Sequence, residues 1–300
     1  MRPEDATLLT QEAAPAQSLE DAYAHCRRIA LGHYENFPVV SWLLPRELRG
    51  PMYAVYAYCR GVDDLGDEAE GDRLALLDGW EAELRRCYDG TPSDPRFVAL
   101  ADTIRRFDIP CDPFLCLIEA NRRDQRQFRY ETFDDLLDYC AFSANPVGRL
   151  VLYVFGYRDD ERAKLSDATC TALQLTNFWQ DVARDFAMGR VYIPQVDMRH
   201  FGVGDADLAA GQATPPLRDL MRFEVLRARD YFRRGLPLID SVRGRLRVDL
   251  RLFTLGGLAV LDAIERADYD ALSHRPTVSK GRKLWLGLRG LAPVRIGVAR

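Results

Sequence analysis

The sequence contains no long apolar run. Nowhere among its 300 residues do about 18 apolar side chains follow one another, which is the least that a membrane-spanning helix needs. The nearest approach, residues 150–157, is far too short. The N-terminal residues also lack the basic and then apolar pattern of a secretory signal. These two absences predict a cytoplasmic protein without a membrane span.

An excess of positive charge is also absent, and so are the common nucleotide and zinc motifs. The 41 lysines and arginines are balanced by 45 aspartates and glutamates, which gives a formal net charge of −4. Such a chain has no global field that attracts nucleic-acid phosphates, so we predict no nucleic-acid binding. The glycine-rich fingerprints of dinucleotide and P-loop sites are missing, as is the H-E-x-x-H zinc motif.

Cysteine is present in an odd number, seven residues that lie mostly within apolar stretches. In a chain long enough to bury a full core, this distribution is typical of reduced, buried thiols. Cys111 and Cys116 have four residues between them, and no histidine lies near enough in the sequence to complete a tetrahedral zinc site. We therefore predict no structural zinc.

What the sequence does contain is apolar side chains that recur every three to four residues, the period of an α-helix. A capping-box pattern at Ser18 begins the first helix, and turns rich in glycine and proline separate the later ones. No strand pattern, internal repeat or interdomain linker interrupts the series. The predicted helices cover residues 18–33, 52–68, 74–88, 97–107, 114–127, 133–140, 147–155, 165–186, 216–241 and 248–271.

These helices predict an all-α fold, with about ten helices packed around one central cavity as a single domain. The domain is expected to cover residues 18–274, after a mobile leader of residues 1–17. Residues 275–300 contain seven lysines and arginines and no acidic residue, interleaved with tryptophan and leucine. Two interpretations of this basic amphipathic tail stay open. It contacts the headgroups of an anionic membrane, or it is a solvated helix that packs on the domain.

Two acidic clusters stand near the ends of predicted helices. In the first, Asp63 and Asp67 are four residues apart. Asp181 and Asp185 repeat this spacing in the second, and Asn177 lies one turn before them. Side chains four residues apart share one face of a helix, where like charges repel unless a cation lies between them. Hard oxygen ligands of this kind suit Mg²⁺, so the five residues are predicted to bind that metal.

The surroundings of both clusters resemble a known family. The sequence Tyr-Cys-Arg-x-x-Asp-Asp-x-x-Asp begins at Tyr58, and Asn-x-x-x-Asp-x-x-x-Asp begins at Asn177. Residues 189–194, Gly-Arg-Val-Tyr-Ile-Pro, follow the second motif. Together these motifs resemble the squalene/phytoene synthases, and the resemblance extends over residues 25–271.

The resemblance implies an isoprenoid synthase fold in which two aspartate-rich faces oppose each other across an apolar cavity. Mg²⁺ on these faces would bind the diphosphate of a prenyl substrate, and ionisation would form an allylic or cyclopropylcarbinyl cation. Tyr139 corresponds to a family tyrosine near this cation, and an ordinary core tyrosine is the alternative. The other residues that the resemblance assigns to the substrate are Arg60, Asp64, Asn177, Arg190, Tyr192 and Tyr231.

Two segments indicate a branch of the family. Residues 33–38 read His-Tyr-Glu-Asn-Phe-Pro, where members that condense two prenyl diphosphates carry hydroxyl and lysine side chains. With residues 143–148, Ser-Ala-Asn-Pro-Val-Gly, they resemble hydroxysqualene synthases, which convert presqualene diphosphate to hydroxysqualene and diphosphate. His33 and Asn36 are then expected at the substrate, and Asn145 at the water that is captured. A core histidine and a helix kink are the alternative roles of His33 and Asn145.

Other functions stay open. A presqualene diphosphate, squalene or phytoene synthase would condense two prenyl diphosphates, and squalene formation would also need NADPH. Outside catalysis, the chain would be an assembly factor of the same fold, against which the intact aspartate pairs argue, or a purely structural helical protein, which would bind no Mg²⁺-diphosphate. For the leading function we expect presqualene diphosphate to arrive from an upstream synthase. We also expect peripheral contact with the inner face of the membrane.

Overall fold

The computed structural model describes residues 18–32, 44–279 and 281–282. Within these ranges it contains fourteen α-helices and no β-strand, so the predicted all-α fold class is confirmed. No helix among them is both long and apolar enough to cross a membrane. The predicted leader and most of the predicted tail lie outside the described residues, as do His33 and Asn36. The helices are α1 (Leu19–Gly32), α2 (Arg46–Asp67), α3 (Arg73–Asp89), α4 (Pro95–Phe107), α5 (Asp112–Arg123), α6 (Phe133–Ser143), α7 (Asn145–Val154), α8 (Asp160–Gln180), α9 (Val182–Ala187), α10 (Gln195–Phe201), α11 (Asp205–Leu208), α12 (Pro215–Gly235), α13 (Pro237–Ser241) and α14 (Gly244–Arg266).

Two of the predicted helices are each divided in the structure. The helix predicted over residues 165–186 breaks at Asp181, which leaves the helical backbone conformation with φ −106° and ψ 15°. The helix predicted over residues 216–241 breaks before Pro237, because proline has no N–H to donate to the preceding turn. These breaks, with the unpredicted short helices α10 and α11, explain why the described residues contain more helices than the sequence predicts. All seven cysteines are free thiols; Cys26, Cys87 and Cys140 are buried as predicted, and the other four are half-buried.

Helix α2 is the centre of the first half of the core. Its Tyr58 is buried, and the hydroxyl donates a hydrogen bond to the Phe114 carbonyl oxygen at 2.9 Å. The Tyr58 ring packs 5.8 Å from Trp80, 6.0 Å from Phe97 and 4.9 Å from Phe114, measured between ring centroids. At Gly61 a Cβ atom would lie 2.3 Å from the Trp80 ring, so only glycine permits this approach of α3. One side of α2 is therefore closed by α3, α4 and α5.

Helix α8 is the centre of the second half of the core, and α7, α12 and α14 pack around it. Its Trp179 is fully buried. Glycine again permits close approach of the neighbouring helices. A Cβ on Gly148 of α7 would lie 2.4 Å from Ser166 Oγ, and a Cβ on Gly235 of α12 would lie 2.2 Å from Thr169 Oγ1. The two central helices thus carry the two acidic clusters at their C-terminal ends.

Candidate active site

The first acidic cluster occupies the last two turns of α2, where Asp63 and Asp67 lie one turn apart. The Asn121 amide of α5 donates a hydrogen bond to Asp63 Oδ1 at 3.4 Å. Gly66 permits this contact, because a Cβ there would lie 2.0 Å from Asn121 Oδ1. Asp63 reaches solvent on one side, but the protein around the rest of the carboxylate limits its hydration. This desolvation, with the charge of Asp67, raises the pKa of Asp63 to about 7.

The second acidic cluster spans the break between α8 and α9. The Asp185 backbone N–H donates to the Asp181 carbonyl oxygen at 2.9 Å, so the helical relation of the pair survives the break. Burial, and then the charge of Asp181, raise the pKa of Asp185 to about 7. Asn177 is exposed on the preceding turn of α8. Each cluster therefore holds a carboxylate whose charge the surrounding protein does not fully compensate.

Arg190 connects the two clusters. Its Nη2 donates to Asp67 Oδ1 at 3.0 Å, and its backbone N–H donates to the Asp185 carbonyl oxygen at 2.8 Å. The loop that carries it is held in place, since the Val191 N–H donates to the Phe128 carbonyl oxygen at 2.8 Å. The structure thus brings the end of α2 next to α9, although the two segments are far apart in the sequence.

Arg275 binds the second cluster from the segment that follows α14. Its Nη2 donates to Asp181 Oδ2 at 3.0 Å, and its Nε donates to Asp181 Oδ1. The Gln180 side chain donates to the Pro276 carbonyl oxygen at 2.5 Å and fixes this segment beside α8. The sequence pattern placed Arg275 in a basic tail and did not indicate that it reaches the aspartates.

The donor atoms of the two clusters suit Mg²⁺. All are hard oxygens from side chains, the class of ligand that Mg²⁺ prefers. No three histidine, cysteine, aspartate or glutamate side chains in the described part of the chain converge closely enough to hold a metal alone. Mg²⁺ needs no such cage, because it keeps several waters and shares its shell with substrate phosphates. The side chains that fit this use are Asp63, Asp67, Asn177, Asp181 and Asp185.

Four aromatic side chains form a cluster beside the Arg190 loop. Tyr192 stacks on Phe178 with ring centroids 3.8 Å apart and planes inclined by 10°. Tyr139 lies 5.9 Å from Tyr192 and 5.4 Å from Tyr130. All four side chains are buried. Because aromatic faces carry partial negative charge, such a cluster can stabilise a carbocation where water is excluded.

Asp124 holds Tyr139 in place. It follows the last residue of α5, and its Oδ2 accepts a hydrogen bond from the Tyr139 hydroxyl at 2.9 Å. Burial raises the pKa of Asp124 to about 6, although the Tyr139 hydroxyl and the charge of Arg190 act in the opposite direction. Asp124 and Asn121 are site residues that the sequence does not indicate, because α5 ends in a polar run, Asn-Arg-Arg-Asp, in which neither stands out.

Arg60 and Asp64 are engaged with each other. Arg60 Nη2 lies 2.5 Å from Asp64 Oδ1 and 2.8 Å from Glu68 Oε1, so the guanidinium binds two carboxylates of its own chain segment. Contact of Arg60 with a substrate diphosphate would require it to leave these partners. Contact of Asp64 with the substrate would likewise require it to leave Arg60.

The structure places Asn145 and Tyr231 in packing contacts. Asn145 is buried at the start of α7, and its Oδ1 accepts a hydrogen bond from the Thr171 hydroxyl at 3.0 Å. The Tyr231 ring lies 6.0 Å from the Phe133 ring and 4.7 Å from the Arg234 guanidinium. None of the contacts described for Tyr231 is with the two acidic clusters. These two residues are therefore not brought together with the aspartates by direct contact.

An apolar cavity of about 160 Å³ lies between α2, α7, α8 and α14. On α8 its lining includes Cys170 and Leu173, whose spacing puts them on the same helix face as Asn177 and Asp181. Leu173 is about 12 Å before Asp181 along the axis of α8. Met52, in the second turn of α2, lines the cavity from the other half of the core. The residues that line the cavity include none of the acidic clusters, and Leu173 is the one nearest to Asp181 along α8.

Asp124→Asn is expected to stabilise the free protein above pH 6 and to leave its stability unchanged near pH 4. The carboxyl titrates near pH 4 when unfolded and at about 6 when folded, so its contribution to stability is lost as the pH rises between these values. The shift of about two pKa units corresponds to about 3 kcal/mol at pH 7.5. Denaturant unfolding at pH 4 and pH 7.5 measures the difference. A pH-independent difference from wild type would contradict it, and Asp138→Asn, on the exposed side of α6, is the control.

This chain is similar in sequence to several known proteins. Residues 30–282 match the family model described as squalene/phytoene synthase. The 15-cis-phytoene synthase of Synechococcus elongatus is 36% identical over 285 residues, which cover 89% of this chain and 91% of that protein. The chloroplastic phytoene synthase 1 of Zea mays is 34% identical over 282 residues, which cover 90% of this chain and 68% of that protein.

Solved structures share its fold. Squalene synthase HpnC from Alicyclobacillus acidocaldarius superposes with a TM-score of 0.81 at 53% sequence identity, over 84% of this chain and 95% of that one. A dehydrosqualene synthase in complex with ligand superposes with a TM-score of 0.83 at 28% identity, over 92% of this chain and 98% of that one. The predicted isoprenoid synthase fold, with helices around a central cavity, is thereby confirmed.

Proposed function

We infer the reaction from the premise that the chain belongs to the squalene/phytoene synthase family. We propose that it ionises presqualene diphosphate in a Mg²⁺-dependent reaction, rearranges the cation and captures water, which yields hydroxysqualene and diphosphate. The observation that carries the proposal is the Arg190 contact with Asp67. It joins the two acidic clusters beside four buried aromatic rings, so a diphosphate site and a cation site lie next to each other.

The proposed metal ligands are Asp63, Asp67, Asn177, Asp181 and Asp185. When bound, Mg²⁺ would neutralise the diphosphate and make it a better leaving group. Arg190 and Arg275 each hold one carboxylate of these clusters. With those carboxylates bound to Mg²⁺, both guanidiniums would be free to donate hydrogen bonds to diphosphate oxygens.

The ionisation step breaks the bond between the cyclopropylcarbinyl carbon and the diphosphate oxygen, and the electron pair leaves with the diphosphate. The aromatic cluster that contains Phe178 and Tyr192 is proposed to stabilise the resulting cation. Tyr139, held by Asp124, packs beside Tyr192 in this cluster. A water oxygen then bonds to the rearranged cation, and the proton it loses passes to the released diphosphate. We propose that Asn145 positions this water with its amide nitrogen, since its Oδ1 is occupied by Thr171.

Similarity to known proteins supports a squalene-type product. The squalene synthase HpnC shares 53% of its aligned residues with this chain, whereas the phytoene synthases share 36% or less. Residues 33–38, with their acidic Glu35, support a single substrate that already contains both prenyl units. His33 and Asn36 are proposed to contact that substrate.

Condensation of two prenyl diphosphates is the second candidate. It is favoured by the 36% identity with a phytoene synthase across 89% of this chain. The product would then be presqualene diphosphate, or phytoene from longer substrates. A non-catalytic assembly factor would not need the paired aspartates that Arg190 and Arg275 hold in this structure.

The lipid nature of the proposed substrate bears on location and partners. Presqualene diphosphate would come from an upstream synthase that joins two prenyl diphosphates. Since substrate and product both partition into membranes, we propose that a cytoplasmic protein meets the inner membrane face, with the basic tail as its contact.

Product analysis tests the proposal. Purified protein with Mg²⁺ and presqualene diphosphate, without NADPH, is expected to form hydroxysqualene that mass spectrometry detects, and chelation of Mg²⁺ should abolish it. A parallel incubation with farnesyl diphosphate should yield no lipid product. Presqualene diphosphate in the second tube would instead establish the condensation reaction. The absence of any lipid product in both tubes would refute the hydroxysqualene reaction and the condensation of two farnesyl diphosphates.

A further inference from the structure

A buried triad of ionisable side chains, Asp197, Glu224 and Arg227, joins α10 to α12. Glu224 of α12 is 0% exposed. Arg227 is one turn farther along the same helix, and its Nη1 lies 3.1 Å from Glu224 Oε1 and 2.8 Å from Oδ2 of Asp197, which belongs to α10. The rings of Phe133 and Phe223 cover this guanidinium, since its Cζ lies 4.0 Å and 4.4 Å from their centroids. One guanidinium thus binds two carboxyl groups where the protein excludes most of the water.

The two carboxyl groups of the buried triad share a proton as well as the guanidinium. Glu224 and Asp197 are hydrogen-bonded to each other, and a bond between two carboxyl groups needs a proton on one of them. Burial raises the pKa of Glu224 to about 8, although the charge of Arg227 acts in the opposite direction. At neutral pH the triad is therefore one cation, one carboxylate and one protonated carboxyl. Because hydrogen bonds of this kind are directional, they fix how α10 lies on α12.

The buried triad stands at one end of two segments that lie side by side. Three backbone N–H groups of residues 191–196 donate to carbonyl oxygens of residues 128–131, at distances of 2.8–3.0 Å. Asp197 directly follows the first of these segments, and Phe133 begins α6 two residues after the second. Arg227 contacts both Asp197 and Phe133. The triad therefore holds the two segments together at this end.

Arg190 directly precedes the first of these segments, at the end that is remote from the buried triad, and it binds the first acidic cluster. We propose that Asp197, Glu224 and Arg227 position Arg190 for the substrate diphosphate by holding the loop that follows it against residues 128–131. The contacts described for the triad include neither acidic cluster, so its members are positioning residues and not catalytic ones. This inference rests on the proposed function for what Arg190 does once it is positioned.

Hydrogen–deuterium exchange of the free protein tests whether the buried triad holds the loop. Asp197→Leu removes the side chain that joins α10 to the triad, so the N–H groups of residues 191–196 that bind residues 128–131 should exchange about tenfold faster, as expected for a segment that opens locally. Amides of α14 should keep their wild-type rates. Asp197→Asn should retain slow exchange, because its amide oxygen still accepts from Arg227 while Glu224 gives up the shared proton and balances the charge.

Kinetics tests whether the loop acts through Arg190. With presqualene diphosphate and saturating Mg²⁺, Asp197→Leu is expected to lower kcat of diphosphate release about tenfold with little change in KM, and Asp197→Asn should keep most of the wild-type kcat. In an Arg190→Ala background Asp197→Leu should cause no further loss, because the group that it misplaces is already gone. The matched control, Arg229→Gln, breaks a different contact of α12, with Asp262 and Glu265 of α14. It should change neither the exchange rates nor kcat.

The outcomes separate this inference from the proposed function. Wild-type exchange rates in Asp197→Leu, with a cooperative melting transition that shows it is folded, would overturn the inference alone. A tenfold loss of kcat that persists in the Arg190→Ala background would do the same. If Asp197→Leu does not fold, Asp197→Ser takes its place, since serine is too short to reach Arg227. Faster exchange in the variant, with no diphosphate release by the wild type, would overturn the proposed function and leave the triad only its hold on the loop.

Discussion

Asp63→Asn and Asp185→Asn are each expected to lower the Mg²⁺-dependent release of diphosphate about 10²–10³-fold, because each removes one negative ligand from one acidic cluster. Asparagine keeps the size of the side chain and one oxygen. The loss is therefore one of charge, and a higher Mg²⁺ concentration should not restore kcat. Continuous detection of released diphosphate over a range of Mg²⁺ concentrations measures the effect.

The same two substitutions should not destabilise the free protein. Desolvation and a neighbouring like charge, that of Asp67 or Asp181, raise the pKa of Asp63 and of Asp185 to about 7, so at pH 8 the folded state carries two pairs of like charges. A neutral amide removes that cost, and we expect melting temperatures at or above the wild-type value. Lost activity with a preserved melting temperature separates a catalytic role from a structural one.

Controls and a double variant sharpen this test. Asp78→Asn alters an exposed carboxylate on α3 that pairs with Arg122, and it should keep wild-type activity. If both clusters serve one ionisation step, Asp63→Asn/Asp185→Asn should lose little more than either single variant. Near-normal diphosphate release from either single variant would show that the clusters do not hold the metal.

Arg190→Ala is expected to reduce kcat about 10²–10³-fold, since it removes a guanidinium that is held between the two acidic clusters. Arg190→Lys should recover only part of this loss, because a lysine offers a point charge where the guanidinium presents a planar set of donors. The effect should appear mainly in kcat, as expected for a group that binds the departing diphosphate more strongly than the substrate. Steady-state kinetics of all variants at saturating Mg²⁺ measures it.

Arg199→Ala is the matched control for Arg190. Arg199 lies on α10 and is 60% exposed, and its partner is Glu131, so its removal should leave both kinetic constants unchanged. A wild-type kcat in Arg190→Ala, or full recovery by lysine, would show that Arg190 only bridges α2 and α9 in the free protein.

Much of the fold and part of the site could be predicted from local pattern. The helical period of apolar residues identifies an all-α chain, because burying one face of a helix imposes that period. The spacing of Asp63 and Asp67 puts both on one face of α2, whatever packs against that helix. The break at Asp181 could not be predicted, since residues 165–186 keep the helical pattern across it.

What local pattern determined, then, is which residues share a helix face. The aspartate pairs and Asn177 follow from spacing within their own segments, and Arg190 follows from the resemblance of its motif to the family. Only the tertiary structure decided which faces meet. Arg190 binds Asp67 across 123 residues and Arg275 binds Asp181 across 94.

The same distinction applies to the groups that sequence inspection missed. Asp124 supports Tyr139, Asn121 binds Asp63, and Asp249 lines the apolar cavity. Each stands among other polar or charged residues of its segment, so local pattern does not single it out. Periodicity gives the direction of a side chain around its own helix axis but not the helix it will face. Which residues these side chains contact depends on how the helices pack, including close approaches such as those at Gly66 and Gly257. Only the tertiary structure therefore shows these contacts.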